Sequence, residues 1–140
     1  MNAELPVFVL DSFAVLSYLG GESGLARVQE VLDEALHVRC RVALSMINLG
    51  EVLYITEREV GLVQAQAVLA ALEQLPIEIL PATRESVLAA AHIKANYRVA
   101  YADAFAITAA QELGGIVLTG DPEFEAVETI VPVELLIGKV

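Results

Sequence analysis

Short apolar runs without polar alternation separate longer segments with helical spacing along this chain. The clearest runs are PVFVL at 6–10 and IVLT at 116–119. A strand that is apolar on both faces is typical of a parallel sheet covered by helices on each side. The pattern therefore predicts an α/β chain, a three-layer α/β/α sandwich with a central, mostly parallel sheet of four or five strands.

The rest of the chain continues this alternation of strands and helices. The spacing of apolar residues and the positions of Gly and Pro indicate where each helix begins and ends. Because no linker or repeat divides the sequence, we expect a single domain over residues 1–140. Further strands are predicted at 41–45, at 77–80 and, at the sheet edge, at 130–133, with helices at about 12–19, 22–37, 46–60, 62–75, 84–97 and 101–113 and a short one after Pro122.

Composition narrows the class of protein. With 56% hydrophobic residues, 140 residues are enough for a substantial core. No apolar run approaches the roughly 20 residues that cross a bilayer, and the N-terminus lacks a signal-peptide pattern, so a cytoplasmic protein without a membrane segment is predicted. The single cysteine, Cys40, excludes an internal disulfide, and with only two histidines a Cys/His zinc site is not expected.

The net charge of −11 argues against broad, sequence-independent binding of nucleic acid. Such binding depends on Lys and Arg side chains that neutralise phosphates. Charge alone favours a small molecule or a basic protein as the partner. A nucleic-acid enzyme is still compatible with this charge, because a local patch or a bound cation can supply positive potential.

Four acidic residues stand in apolar surroundings. Asp11 follows the first predicted strand and Asp121 follows the strand at 116–119, at the ends where α/β sheets bind ligands. Asp103 lies inside the helical segment YADAFAITAA, and Glu51 inside MINLGEVLYI. Charged side chains are almost never buried unless they are paired or bound to a metal, so these four are candidate site residues.

Helix capping is an alternative explanation for two of the acids. Asp11 or Ser12 can cap the first helix, and Asp121 followed by Pro122 is a common helix start. Neither explanation applies to Asp103, which has no basic residue within one turn on its face of the helix.

Glu51 has an alternative of its own, since Asn48 lies one turn before it and could donate a hydrogen bond to it. For all four acids together, mutual repulsion is the difficulty, because two carboxylates 4 Å apart repel by about 4 kcal/mol at an effective dielectric near 20. A divalent cation removes that repulsion. Oxygen ligands without His or Cys favour Mg²⁺ or Mn²⁺ over zinc.

The sequence resembles the PIN domain family, and within it the VapC-type toxins of toxin–antitoxin systems. The resemblance covers nearly the whole chain and rests on VFVLDSFAVL, SMINLGEVLY and, most specifically, YADAFAITAAQELGGIVLTGDPEF. It implies a PIN-like fold and a Mg²⁺- or Mn²⁺-dependent endoribonuclease. The metal-binding and catalytic acids that it implies are Asp11, Glu51, Asp103 and Asp121, with Ser12 and Thr119 as supporting polar residues.

The resemblance also implies partners: an RNA substrate, a cognate antitoxin protein and a second copy of the chain. The candidate RNA contacts nearest in sequence are Arg39, Arg41, Lys94 and Arg98, although for any one of them an ordinary surface charge is the more common explanation. The apolar face of the 62–75 helix is a candidate dimer surface, although such a stripe usually belongs to the core.

The sequence departs from the family pattern at Phe13, where a small polar residue is common. Receiver domains and haloacid-dehalogenase phosphatases also have acids after the first strand, but they need acidic neighbours that DSFAV does not provide. A flap-type nuclease needs longer insertions. Two alternatives stay open: a housekeeping RNA-processing PIN nuclease, and a non-catalytic PIN-fold interaction module.

Overall fold

A central sheet of five parallel strands organises the computed structural model, which describes residues 4–22 and 24–136. The strand order is β3-β2-β1-β4-β5, so the chain builds one half of the sheet outward from β1 and then returns to build the other half. The strands are β1 (Val7–Leu10), β2 (Arg41–Ser45), β3 (Glu78–Leu80), β4 (Ile116–Thr119) and β5 (Val133–Leu135).

Within the described part of the chain, six α-helices and one 3₁₀ helix connect the strands. Three of the α-helices begin at capping residues that the sequence offers: Asp11, Ser45 and Thr83 each accept a hydrogen bond from a backbone N–H in the first turn. Gly114 ends the sixth helix in the left-handed conformation that favours glycine. The helices are α1 (Ser12–Leu19), α2 (Leu25–Leu36), α3 (Met46–Val60), α4 (Leu62–Glu73), α5 (Arg84–Asn96) and α6 (Tyr101–Leu113), and the 3₁₀ helix is Pro122–Val127.

The helices form a layer on each face of the sheet, which confirms the three-layer prediction. Alternate strand residues point to opposite faces: Val9 packs with residues of α5 and α6, and Leu10 packs with residues of α1 to α4. Both side chains are almost completely buried. Among the described residues, no helix has both the length and the apolar character that crossing a membrane requires.

The edge strand and one helix differ from the sequence prediction. The strand expected at 130–133 is wrong in its bounds. The N–H groups of Ile130 and Val131 bond to the carbonyl of Val127, and Pro132 has no N–H group, so these residues cannot donate to a neighbouring strand. The strand therefore begins at Val133. The helix expected at 22–37 is shorter, at 25–36, and residue 23 lies outside the described residues.

The apolar face of α4 is divided between core and solvent. Val68 and Leu72 are buried in the core, whereas Leu62 and Val63 are exposed by 55% and 82%. Of the large apolar side chains of α4, only those of the first turn, Leu62 and Val63, are therefore exposed for contact with another chain.

Candidate active site

The four acids predicted from the sequence line one cavity of about 230 Å³ at the carboxyl edge of the sheet. Asp11 follows β1 and Asp121 follows β4, which pair directly, so topology alone brings these two together. Glu51 comes from the second turn of α3, and Asp103 from the first turn of α6. The other lining residues are Ser12, Phe13, Leu16, Ile55 and Ala100.

Asp11 is the most deeply buried of the four, with 1% of its surface exposed. One carboxylate oxygen caps α1 by accepting the Ala14 N–H at 2.8 Å, and the other accepts the Thr119 hydroxyl. The pKa of Asp11 is raised from 3.8 to about 7, chiefly because burial destabilises the charged form. The hydrogen bonds from Thr119 and Ala14 oppose that shift, and the nearby charges of Asp103 and Asp121 add to it.

Thr119 connects the two acids at the strand ends. Its hydroxyl donates to Asp11 and accepts the backbone N–H of Asp121 at 3.0 Å. Asp121 in turn caps the 3₁₀ helix by accepting the Glu123 N–H at 2.9 Å. The predicted supporting residue Thr119 therefore contacts an acid directly, and it fixes the position of the loop that carries Asp121.

Asp103 is half-buried, and its pKa is raised from 3.8 to about 6. Burial is the main cause, followed by the charges of Glu51 and Asp121. A hydrogen bond from the Ala100 backbone favours the charged form and lowers the pKa of Asp103, which reduces the shift. Two of the four acids thus hold their protons more tightly than ordinary aspartates, because negative charge is concentrated in a poorly solvated cavity.

Asn48 is a structural centre of the site that the sequence did not reveal. It is completely buried, and its side-chain NH₂ group donates to the Ser12 hydroxyl and to the Ala102 carbonyl, both at 3.1 Å. Its side-chain oxygen accepts the Ser45 hydroxyl at 2.6 Å. The hydrogen bonds recorded for its side chain therefore join the starts of α1, α3 and α6, and none of them is to Glu51.

The partners of Asn48 explain why these bonds matter for the site. Ser12 is adjacent to Asp11, and Ala102 is adjacent to Asp103. Ser12 itself contacts Asn48 rather than an acid, since its hydroxyl also donates to the Asn48 carbonyl at 3.3 Å. Ser12 therefore supports the cavity indirectly, through its hydrogen bonds with Asn48. Together, Asn48 and Thr119 therefore hold the chain beside Asp11, Asp103 and Asp121, and Asn48 lies one turn before Glu51 on α3.

The donor set of the cavity suits a hard divalent cation, because it consists of carboxylate oxygens without His or Cys. Within residues 4–22 and 24–136, however, no three acidic, histidine or cysteine side chains lie close enough together to hold one ion as they stand. The four carboxylates share a cavity but are not gathered around one point. Closing around an ion would require side-chain movement, for which relief of their mutual repulsion provides a driving force.

Two of the predicted RNA contacts lie far from the cavity. Arg41 pairs in register with Val7, at the opposite edge of the sheet from Asp11. Its guanidinium group binds Glu78 through two hydrogen bonds of 2.7 and 2.8 Å. Arg39 is bonded to a glutamate of α2. The structure does not bring either arginine to the acids.

Lys94 and Arg98 lie closer along the chain to a residue that lines the cavity. Both are exposed; Lys94 is in the last turn of α5, and Arg98 is two residues before Ala100, which lines the cavity. Of the four predicted basic contacts, Arg98 is therefore the one whose position along the chain best fits a nucleic acid at the acids.

A family comparison agrees with this arrangement of acids on a parallel sheet. The family model described as PIN domain matches residues 8–130. The chain belongs to the PIN domain family. The matched region contains all four acids together with Asn48 and Thr119. No curated protein gives a significant match to the chain.

Solved structures with the same fold include several toxin–antitoxin proteins. DNA-bound VapBC from Salmonella typhimurium is 18% identical, with a TM-score of 0.73, covering 95% of this chain and 100% of that one. VapBC2 from Rickettsia felis, bound to a promoter DNA fragment, is 14% identical, with a TM-score of 0.72 and coverages of 92% and 98%. Mycobacterium tuberculosis VapC20, a sarcin-ricin loop cleaving toxin, is 21% identical, with a TM-score of 0.64 and coverages of 86% and 94%. At these identities the likeness establishes the PIN fold.

Proposed function

We propose that this protein is a Mg²⁺- or Mn²⁺-dependent endoribonuclease and the toxin component of a type II toxin–antitoxin system. The observation that carries the proposal is the cavity that four carboxylates line at the carboxyl edge of a PIN-domain sheet. The likeness to VapC20, a sarcin-ricin loop cleaving toxin, supports RNA as the substrate class.

Each of the four acids would have its own role in the reaction. Asp11, Glu51 and Asp103 would hold the ion, and Asp121 would orient the attacking water or contribute to a second ion. When bound, the cation would polarise the scissile phosphate and lower the pKa of a bound water, for hydrolysis to a 5′-phosphate and a 3′-hydroxyl. Thr119 and Asn48 would keep the carboxylates at their required spacing.

Asp103→Asn tests the proposal, because it keeps the shape of the side chain and removes its charge. Defined single-stranded RNA and DNA would be incubated with each protein in Mg²⁺, Mn²⁺ or EDTA. We expect the wild type to cleave RNA only with the metal, and Asp103→Asn to be inactive but folded. Asp33→Asn is the matched control, since Asp33 is exposed on α2.

The alternative of a non-catalytic interaction module has one observation in its favour, namely that the acids are not gathered around one point. Equal behaviour of wild type and Asp103→Asn in every metal condition would favour that module. A housekeeping nuclease is distinguished by its effect on growth. Expression of the wild type alone should arrest a bacterial host if the protein is a toxin, whereas a housekeeping enzyme should be tolerated.

We propose that an antitoxin covers the larger cavity beside the acids. This cavity, of about 490 Å³, lies between α1 and the α3–α4 pair, and it shares Phe13, Leu16 and Ile55 with the acidic cavity. A partner segment with apolar side chains fits its lining, and a basic residue of that segment could extend to the acids. Toxin–antitoxin complexes among the solved structures of the same fold support this partner.

A homodimer through the exposed start of α4 is the second assembly that we propose. Val63 is the most exposed large apolar residue of that turn. Light scattering should give the mass of a dimer for the wild type and of a monomer for Val63→Glu. A monomeric wild type would contradict this assembly without affecting the proposed catalytic site.

A further inference from the structure

Phe13 lies at the edge of the acidic cavity. It is the second residue of α1, two positions after Asp11, and its side chain is 45% exposed. It lines both the acidic cavity and the larger cavity beside it. An exposed aromatic ring at this position contributes little to the core, so its placement calls for another explanation.

The ring of Phe13 is held against the loop that carries Asp121. It packs so closely on Gly120 that any Cβ atom at this glycine would overlap the ring. Only glycine permits such a close approach. Gly120 lies between Thr119 and Asp121, whose positions are fixed by the hydrogen bonds around the Thr119 hydroxyl. The ring is therefore seated on a well-supported loop before any ligand binds.

The negative charge of the protein favours contact with the base of a nucleotide, rather than with its phosphate, at the edge of the cavity where Phe13 lies. The chain has a net charge of −11, and three of its eight Lys and Arg residues, Arg27, Arg39 and Arg41, are already paired with glutamates and do not line the cavity. Phosphates gain little attraction from such a surface. Stacking of a base on an aromatic ring does not depend on net charge, and a ring that is already fixed loses little entropy when it stacks.

We propose that Phe13 is a stacking platform for an unpaired base of the RNA substrate, next to the phosphate that enters the acidic cavity. This inference rests on the proposed nuclease function and narrows its substrate class to single-stranded RNA segments. In a duplex the bases are stacked inside the helix, and only in loops, bulges or ends can a base be splayed out onto a side chain.

The test measures binding of RNA independently of cleavage. Single-stranded oligoribonucleotides that carry 2-aminopurine at successive positions would be titrated with Asp103→Asn protein, alone and combined with Phe13→Leu or Phe13→Trp. We expect quenching at one position, roughly fivefold to hundredfold weaker binding with Phe13→Leu, and recovery with Phe13→Trp. An abasic site at the quenched position should make the Phe13→Leu effect disappear.

Tyr54→Leu is the matched control, because Tyr54 is exposed by 49% but does not line the cavity. An equal loss of affinity in this control, or unchanged affinity with Phe13→Leu, would overturn the proposal. Unchanged affinity is also the result expected if the ring serves only a protein partner. Cleavage by the wild type is measured in parallel: if no RNA is cleaved while the Phe13 effect persists, the nuclease proposal fails and the stacking platform stands.

Discussion

Replacing Asp11 with Asn should stabilise the metal-free protein at neutral and alkaline pH. Asp11 is 1% exposed, and it accepts hydrogen bonds from the Ala14 N–H and the Thr119 hydroxyl. An Asn side chain of the same shape keeps an oxygen for the Ala14 N–H and presents an NH₂ group to Thr119. Because a hydroxyl also accepts hydrogen bonds, both contacts can persist while the buried charge is removed.

The magnitude follows from the pKa of the Asp11 carboxyl, which is raised from 3.8 to about 7. Between these two pKa values the folded state binds more protons than the unfolded state. The contribution of Asp11 to the free energy of unfolding is therefore most favourable below pH 4, and it falls as the pH rises towards 7. At about 1.4 kcal/mol per pKa unit, the buried charge costs roughly 4 kcal/mol above pH 7. Burial of an amide offsets part of the gain, so we expect Asp11→Asn to gain roughly 2–4 kcal/mol at pH 8.

Urea denaturation in EDTA at a series of pH values from 4 to 8 measures the effect. The difference in unfolding free energy between Asp11→Asn and the wild type should be near zero at pH 4 and grow to its full value by about pH 7.5. Asp33→Asn should show no such growth. A difference that is constant with pH, or that shrinks as the pH rises, would refute the claim that the buried charge of Asp11 destabilises the folded state.

Three further predictions concern the framework of the site and the fold. Asn48→Ala removes three side-chain hydrogen bonds, to Ser12, Ser45 and Ala102, and should lower the free energy of unfolding by about 2–4 kcal/mol in urea denaturation, with weaker Mn²⁺ binding by calorimetry; unchanged values would rule out its central role. Gly115→Ala places a Cβ atom 2.8 Å from the Val7 carbonyl oxygen and should cost about 1–3 kcal/mol by thermal unfolding, so full stability would contradict the close packing on Val7 of the turn between α6 and β4. Arg27 and Glu134 join α2 to β5 through two hydrogen bonds; Arg27→Met should cost about 1 kcal/mol or less, and 1 M NaCl should reduce that cost if the pair is ionic.

The fold was largely predictable from the sequence because its strands are apolar on both faces. The strands VFVL and IVLT have no polar face to expose to water, so other elements must cover both faces of the sheet. This requirement implied a parallel sheet between two helical layers. The edge strand was less predictable. IVPV has the composition of a strand, but Pro132 and the hydrogen bonds of the preceding 3₁₀ helix delay pairing until Val133.

The role of Asn48 could not be predicted because it depends on contacts between distant segments. Its partners Ser12 and Ala102 are 36 and 54 residues away in sequence, and they meet it only when α1, α3 and α6 pack together. The local pattern suggested a bond from Asn48 to Glu51, one turn later on the same helix. A buried Asn in an apolar helix was the available signal, and it indicated a network without identifying the partners.

The two explanations of Asp11 and Asp121, helix cap and site residue, turn out not to compete. Both residues cap the helix that follows them, and both line the acidic cavity. In a parallel α/β sheet the carboxyl end of a strand leads directly to the start of a helix, so one residue at this junction can do both. Each cap uses one carboxylate oxygen and leaves the other available. The second oxygen of Asp11 accepts the Thr119 hydroxyl, whereas Asp121 is half-buried at the wall of the cavity. Capping thus fixes the direction of each carboxylate, so at this edge of the sheet a capping aspartate supports the assignment of a site rather than weakening it.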